Sequence, residues 1–226
     1  MRALLWKDFK ITKWWILSNI LIISTIGGIG LYLSYYRNFP GFIPILLSGV
    51  GIFFWSFISG MAHYFNEDNG NLREFLNTLP VHRCKILLSK WILLAIENAL
   101  YWLLFFLFFY FSARPFLDTT DYSVDGVVVS YILSLLTTLT ISSLSLSISS
   151  FTKELPARWF LTVLLVILSL IALQFIPAPK ITFKITEMYL GENVKPYVDI
   201  GYTVKNFLAS LCVLVVSSLW VSKRGI

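Results

Sequence analysis

Glu97 is the one acidic side chain deep inside an apolar run of this sequence, and Asn98 follows it. An ionisable group in hydrocarbon is costly, so it faces protein or water. Lys90, Leu94, Glu97, Tyr101 and Leu104 share one helical face, which predicts that Glu97 points inward. Two readings stand at this point: a pathway or coupling residue, or a protonated or hydrogen-bonded packing contact. A second polar feature is Ser134, Thr138, Ser142, Ser145 and Ser149, spaced one helical turn apart. Small hydroxyl residues let membrane helices approach closely, so helix packing is favoured here over a substrate path. Glu97, Asn98, Tyr101, Ser134, Thr138 and Ser142 are the translocation-path candidates. His63 and Glu67 have a spacing that could hold a metal on a helix. His82 is the only other histidine and no further ligand cluster accompanies the pair, so no metal site is expected. An intramembrane serine protease would need Ser and His facing each other inside the spans, and both histidines lie near or in one loop. An aspartyl enzyme needs paired acids, and Glu97 stands alone. The H-E-x-x-H zinc signature is missing. No catalytic, cofactor-binding or metal-binding residue is therefore expected.

The elements that carry these residues are set by composition. The chain has 226 residues, 57% hydrophobic and 13% charged, with mean hydropathy +0.76. A soluble domain carries about 25% charged residues. So little charge cannot cover an aqueous surface, and the predicted fold class is an all-α membrane protein, one transmembrane domain over residues 1–226. The net charge of +6 comes from basic residues beside apolar runs. Anionic lipid headgroups, rather than nucleic acid, are their expected partner. Cys84 lies in a loop and Cys212 in an apolar run, so no disulfide is expected. The first apolar run is too long for a cleavable signal and lacks a small-x-small site.

About 20 apolar residues in helical form cross a bilayer. Six runs qualify: 14–35, 42–62, 86–111, 126–150, 159–176 and 204–221. Twelve basic residues (Arg2, Lys7, Lys10, Lys13, Arg73, Arg83, Lys85, Lys90, Lys153, Arg158, Lys223 and Arg224) fall on one side. Six (Arg37, Arg114, Lys180, Lys184, Lys195 and Lys205) fall on the other. The positive-inside rule places the first set, and with it both termini, in the cytoplasm. Aromatic residues flank the spans, as interface anchors do, at Trp14, Trp15, Tyr35, Tyr36, Tyr110, Phe111, Trp159 and Trp220.

Between the second and third runs lies NEDNGNLREFLNTLPVHRCKILLSKW. Leu72, Phe75, Leu76 and Leu79 fall on one face of a short helix. Asn71 and Glu74 fit a capping-box start, and Pro80 stops the helix. A helix of about two turns is predicted on the membrane surface, over a coupling segment of about residues 66–82. The alternative for such a face is an interfacial helix that only packs on lipid headgroups.

This segment resembles the first cytoplasmic loop of type-2 ATP-binding-cassette (ABC) transporter permeases. The matching residues are Glu67, Gly70, Leu72, Leu76, Leu79, Pro80, Val81, Arg83, Leu87 and Lys90. The opening MRALLWKDFKITKWW is similar to the family's basic helix leading into the first span. The resemblance implies a dimer of six-span subunits, homodimer or paralogous pair, in a bacterial-type cytoplasmic membrane. Two cytosolic ATPases would bind ATP and Mg. The short helix would be the coupling helix docking on an ATPase, with Glu67, Gly70, Leu72, Arg73, Glu74, Phe75, Leu76, Leu79, Pro80 and Arg83 as coupling residues. This chain has no G-x-x-x-x-G-K-[ST] loop, so ATP would be hydrolysed by the partner. The implied cargo is amphiphilic: a small peptide, a drug or a lipid-like molecule. The family often has re-entrant helices between its last two spans. Here residues 180–186 alternate apolar and polar, which suits a strand or extended segment. A non-transporting scaffold or immunity protein is the alternative, distinguished by whether it depends on a co-expressed ATPase.

Overall fold

The computed structural model describes residues 2–37, 39–68, 83–115, 124–152, 155–174, 177–184 and 197–223. Six helices carry almost all of them: α1 Arg2–Tyr36, α2 Phe42–Asp68, α3 Arg83–Ala113, α4 Val124–Phe151, α5 Leu155–Gln174 and α6 Gly201–Lys223. Two three-residue strands, β1 Thr182–Lys184 and β2 Tyr197–Asp199, precede α6 and pair antiparallel. The alternation at 180–186 is thus partly realised as a strand, with Lys184 opposite Tyr197.

Five helices contain an apolar run long enough to cross a bilayer: Ala3–Tyr36, Ile43–His63, Cys84–Ala113, Val127–Phe151 and Gly201–Leu219. In α5 the apolar run found among the described residues is Trp159–Leu168, shorter than a full crossing. Except at the C-terminal end of α5, the helices reach or overrun the predicted spans. α1 and α3, at 35 and 31 residues, reach roughly 50 Å at 1.5 Å per residue. That exceeds the ~30 Å hydrocarbon core, so both project beyond it.

The broadest contacts join α1 to α3, α4 to α6 and α2 to α4. α2 and α4 also pack on α3, while α5 leans on α4 and touches α6 only slightly. Two buried clusters sit at these joints. Ile23, Ile45, Ile52, Tyr101, Trp102 and Phe105 knit α1, α2 and α3. Leu87, Leu94, Leu146 and Leu214 join α3, α4 and α6. Outward faces stay apolar, with Leu17, Leu21, Leu47, Phe54, Leu103 and Val216 exposed, as lipid contact requires. The α1–α2 hairpin closes on a glycine pair. A Cβ at Gly41 would collide with the Gly30 carbonyl, so the two backbones meet only because neither has a side chain there.

Candidate functional site

The interior of the bundle is polar along two seams. The first lies between α4 and its neighbours. Ser142 Oγ donates to the Ser56 carbonyl at 3.0 Å, and Ser145 Oγ to the Phe57 carbonyl at 2.8 Å. Asn98 Nδ2 donates to Ser142 Oγ at 3.2 Å and to the Leu94 carbonyl at 2.9 Å, while its Oδ1 accepts from Ser56. Trp102 Nε1 donates to Thr138 Oγ1 at 3.1 Å, and Trp91 Nε1 to Ser143 Oγ at 2.9 Å. Gly60 faces this seam, where a Cβ would meet the Ser145 side chain. The hydroxyl stripe therefore packs α4 on α2 and α3. Thr138, Ser142, Ser145 and Ser149 are buried, while Ser134 is half-buried and accepts from Thr138 Oγ1 through its carbonyl.

The second seam is lined by titratable side chains. Asp8, His63, Lys90 and Glu97 are 2%, 3%, 1% and 1% exposed. Lys90 Nζ donates to the His63 carbonyl at 3.0 Å and lies 3.5 Å from Asp8 Oδ1. Ser89 Oγ donates to Asp8 Oδ2 at 2.6 Å, and Lys7 Nζ stands 3.3 Å from Asp8 Oδ1. His63 Nε2 lies 3.5 Å from Glu97 Oε1, too long for a well-formed hydrogen bond. One turn further along α3, Tyr101 OH accepts from Asn19 Nδ2 at 3.2 Å, which brings α1 in again. The chain of contacts thus runs α1–α3–α2 and returns to α1.

Glu97 and Tyr101 face inward as their spacing predicts. The neighbour that the structure gives Glu97 is a histidine and not a second acid. His63 lies in the apolar run of α2 and meets Glu97 across the α2–α3 joint. Its Nε2 faces Glu97, and among the described residues no group of three His, Cys, Asp or Glu can hold a metal. Asp8 was not singled out in the sequence. Its signal is the spacing Asp8, Thr12, Ile16, Asn19 and Ile23, which are all buried on one face of α1.

A shallow apolar groove of about 420 Å³ opens between α1 and α2, lined by Asn19, Ile22, Pro44, Ser48 and Trp55 among others. None of the six path candidates lines it. They lie instead within the packed helix joints of the subunit, except for the half-buried Ser134. Of the coupling residues, Gly70, Leu72, Arg73, Glu74, Phe75, Leu76, Leu79 and Pro80 lie outside the described residues. Glu67 falls in the last turn of α2, and Arg83 opens α3.

Across residues 3–223 the sequence matches a family described as ABC-2 family transporter protein. No curated protein and no solved structure matches it significantly. That family forms the membrane part of ABC transporters and works with separate ATPases, which accords with long apolar helices enclosing polar seams. A match over nearly the whole chain establishes that this multi-pass protein belongs to the ABC-2 transporter family, as a permease subunit and not as the ATPase.

Proposed function

We propose that this chain is the permease subunit of an ABC exporter in a cytoplasmic membrane, moving an amphiphilic molecule outward. The cargo class is a small peptide, a drug or a lipid-like compound. Two cytosolic ATPase subunits supply ATP hydrolysis, with ATP and Mg bound on them, and a second permease copy or paralogue completes the membrane part. Six spans with both termini cytoplasmic form the working topology, in which the 20-residue α5 is the fifth crossing. The observation that carries this reading is the family match over residues 3–223. The predicted amphipathic segment adds to it, because it connects α2 to α3, the place the family resemblance gives to the coupling helix. The apolar groove between α1 and α2 suits a cargo with a hydrocarbon body. Asn98, Thr138 and Ser142 serve this function mainly as packing residues, since their polar groups are engaged across helices.

The test is the double substitution Phe75→Ala with Leu76→Ala. A docking face concentrates its energy in a few apolar anchors. Burying each such side chain is worth about 1.5–3 kcal/mol. Loss of two therefore weakens ATPase binding by roughly two orders of magnitude or more. The tagged permease should reach the membrane at wild-type level and lose its co-purifying ATPase. Undiminished recovery of the ATPase would remove residues 66–82 as the coupling element.

A further inference from the structure

We propose that the groove between α1 and α2 binds one extended alkyl chain ending in a small neutral hydroxyl or amide headgroup, which narrows the cargo class to a single-chain lipid. As a transport site it rests on the permease reading above. The binding itself does not.

The dimensions select the chain. One wall runs along α1 from Asn19 to Ile26, and the other along α2 from Trp55 back to Pro44. At 1.5 Å per residue the longer wall measures about 16 Å. A volume of about 420 Å³ over that length leaves a mean cross-section of about 25 Å². One extended hydrocarbon chain fills such a section, whereas a peptide with side chains or a fused ring system is wider. A cavity of about 150 Å³ accommodates benzene, so the groove has room for roughly a dozen or more carbons. Both ends are pinched. At one, Gly30 and Gly41 bring the two backbones into contact. At the other, Trp15 stacks on Trp55 with ring centroids 4.7 Å apart, and its Nε1 donates to Ser59 Oγ at 3.2 Å. Between the pinches Ile22 and Leu47 are exposed at the lips, so a chain enters sideways from the bilayer.

One end of the groove is polar. The pairs Trp15–Trp55 and Gly30–Gly41 set α1 and α2 antiparallel, which puts Asn19 and Trp55 at the same end. Asn19 gives its Nδ2 to Tyr101 OH, and its Oδ1 has no hydrogen-bond partner among the described residues. Trp55 Nε1 has none there either. A bare acceptor and a bare donor away from water are costly. A hydroxyl or primary amide carries both a donor and an acceptor and satisfies the two together. Both atoms are buried beneath the wall, so only a small headgroup can turn in beside them. The lining residues carry no charge, which favours a neutral one.

Photolabelling reads the site directly. The purified chain in phosphatidylcholine nanodiscs is labelled with hexadecanol carrying a mid-chain diazirine, and the labelled residues are mapped by mass spectrometry. Label should concentrate at Ile22, Ile26, Leu47 and Ser48, and unlabelled hexadecanol should displace it. A hydrophobic tripeptide and a tricyclic aromatic amine should not. The methyl ether of hexadecanol, which lacks the donor, should compete more weakly. Gly51→Leu plugs the groove without a clash, since a Cβ there meets nothing within 4 Å. It should cut labelling roughly tenfold, the loss expected when about four ligand atoms give up their contacts. Gly28→Leu, equally open but off the groove, should leave labelling unchanged. If Gly51→Leu fails to reach the membrane, Ser48→Leu fills the same groove from the neighbouring turn and should lower labelling likewise. Label spread evenly over the lipid-facing helices, or undiminished in the plugged variant, would overturn the site. Displacement by the tripeptide or the amine would overturn its restriction to a single chain, and equal competition by the ether would overturn the headgroup. Labelling is read on the chain alone, so absence of an ATPase complex would count against the proposed function and not against this site.

Discussion

Adding one methyl group at Gly60 tests how closely α2 and α4 depend on each other. An alanine Cβ there would sit 2.7 Å from Ser145 Cβ and 3.0 Å from the Ser142 carbonyl, whereas ordinary contacts begin at 3.4 Å. Restoring contact distance pushes the helices apart by about 0.7 Å, which stretches the Ser142–Ser56 and Ser145–Phe57 hydrogen bonds to about 3.5 Å or beyond. Each interhelical hydrogen bond in a membrane protein is worth about 0.6 kcal/mol. Overpacking a tight contact costs typically about 1–3 kcal/mol. Alanine returns up to about 1 kcal/mol through its better helix propensity. The net loss is about 1–3 kcal/mol. Gly51→Ala is the control, because a Cβ there meets nothing within 4 Å on an exposed face of the same helix. It should be neutral or slightly stabilising. Thermal unfolding of the detergent-solubilised protein, followed by size-exclusion fluorescence, reads the difference. At about 2–4 °C per kcal/mol for a chain of this size, Gly60→Ala should melt several degrees below Gly51→Ala. Equal melting temperatures would refute close packing at this crossing, and with it the assignment of the serine stripe to helix packing.

Three further outcomes are expected. Asn98→Ala removes an amide that engages Leu94, Ser56 and Ser142. It should lower stability by about 1–2 kcal/mol, and an unchanged melting temperature would show that these groups find water or other partners. Glu97→Gln should leave membrane level and ATPase recovery intact while lowering ATP-driven export; wild-type export would retire Glu97 as a functional residue. Single cysteines at Asp121 and Glu192 should react with an impermeant thiol reagent added outside intact cells, and a cysteine at Asn69 should not. All three positions lie outside the described residues, and labelling at Asn69 from outside would invert the topology.

The sequence by itself determined the membrane class, the positions of the apolar runs and the family. These follow from local quantities. Hydrocarbon demands about 20 apolar residues per crossing, and the backbone must satisfy itself within each helix, so the runs read directly as helices. The inward direction of Glu97 and Tyr101 was also local, because helical periodicity says which side of a helix is buried. It does not say which helix lies opposite. That decision belonged to the tertiary structure. It set His63, from the last third of α2, against Glu97, in the middle of α3. It gave the unremarked Asp8 a partner 82 positions away in Lys90. The hydroxyl stripe shows the same division: its spacing announced a polar face, and only the arrangement of α2 against α4 revealed α2 carbonyls as the acceptors for Ser142 and Ser145. A hydroxyl can turn to a carbonyl of its own helix, as Thr138 does to Ser134, but a buried charge finds few partners there, so its role is fixed by which helices become neighbours.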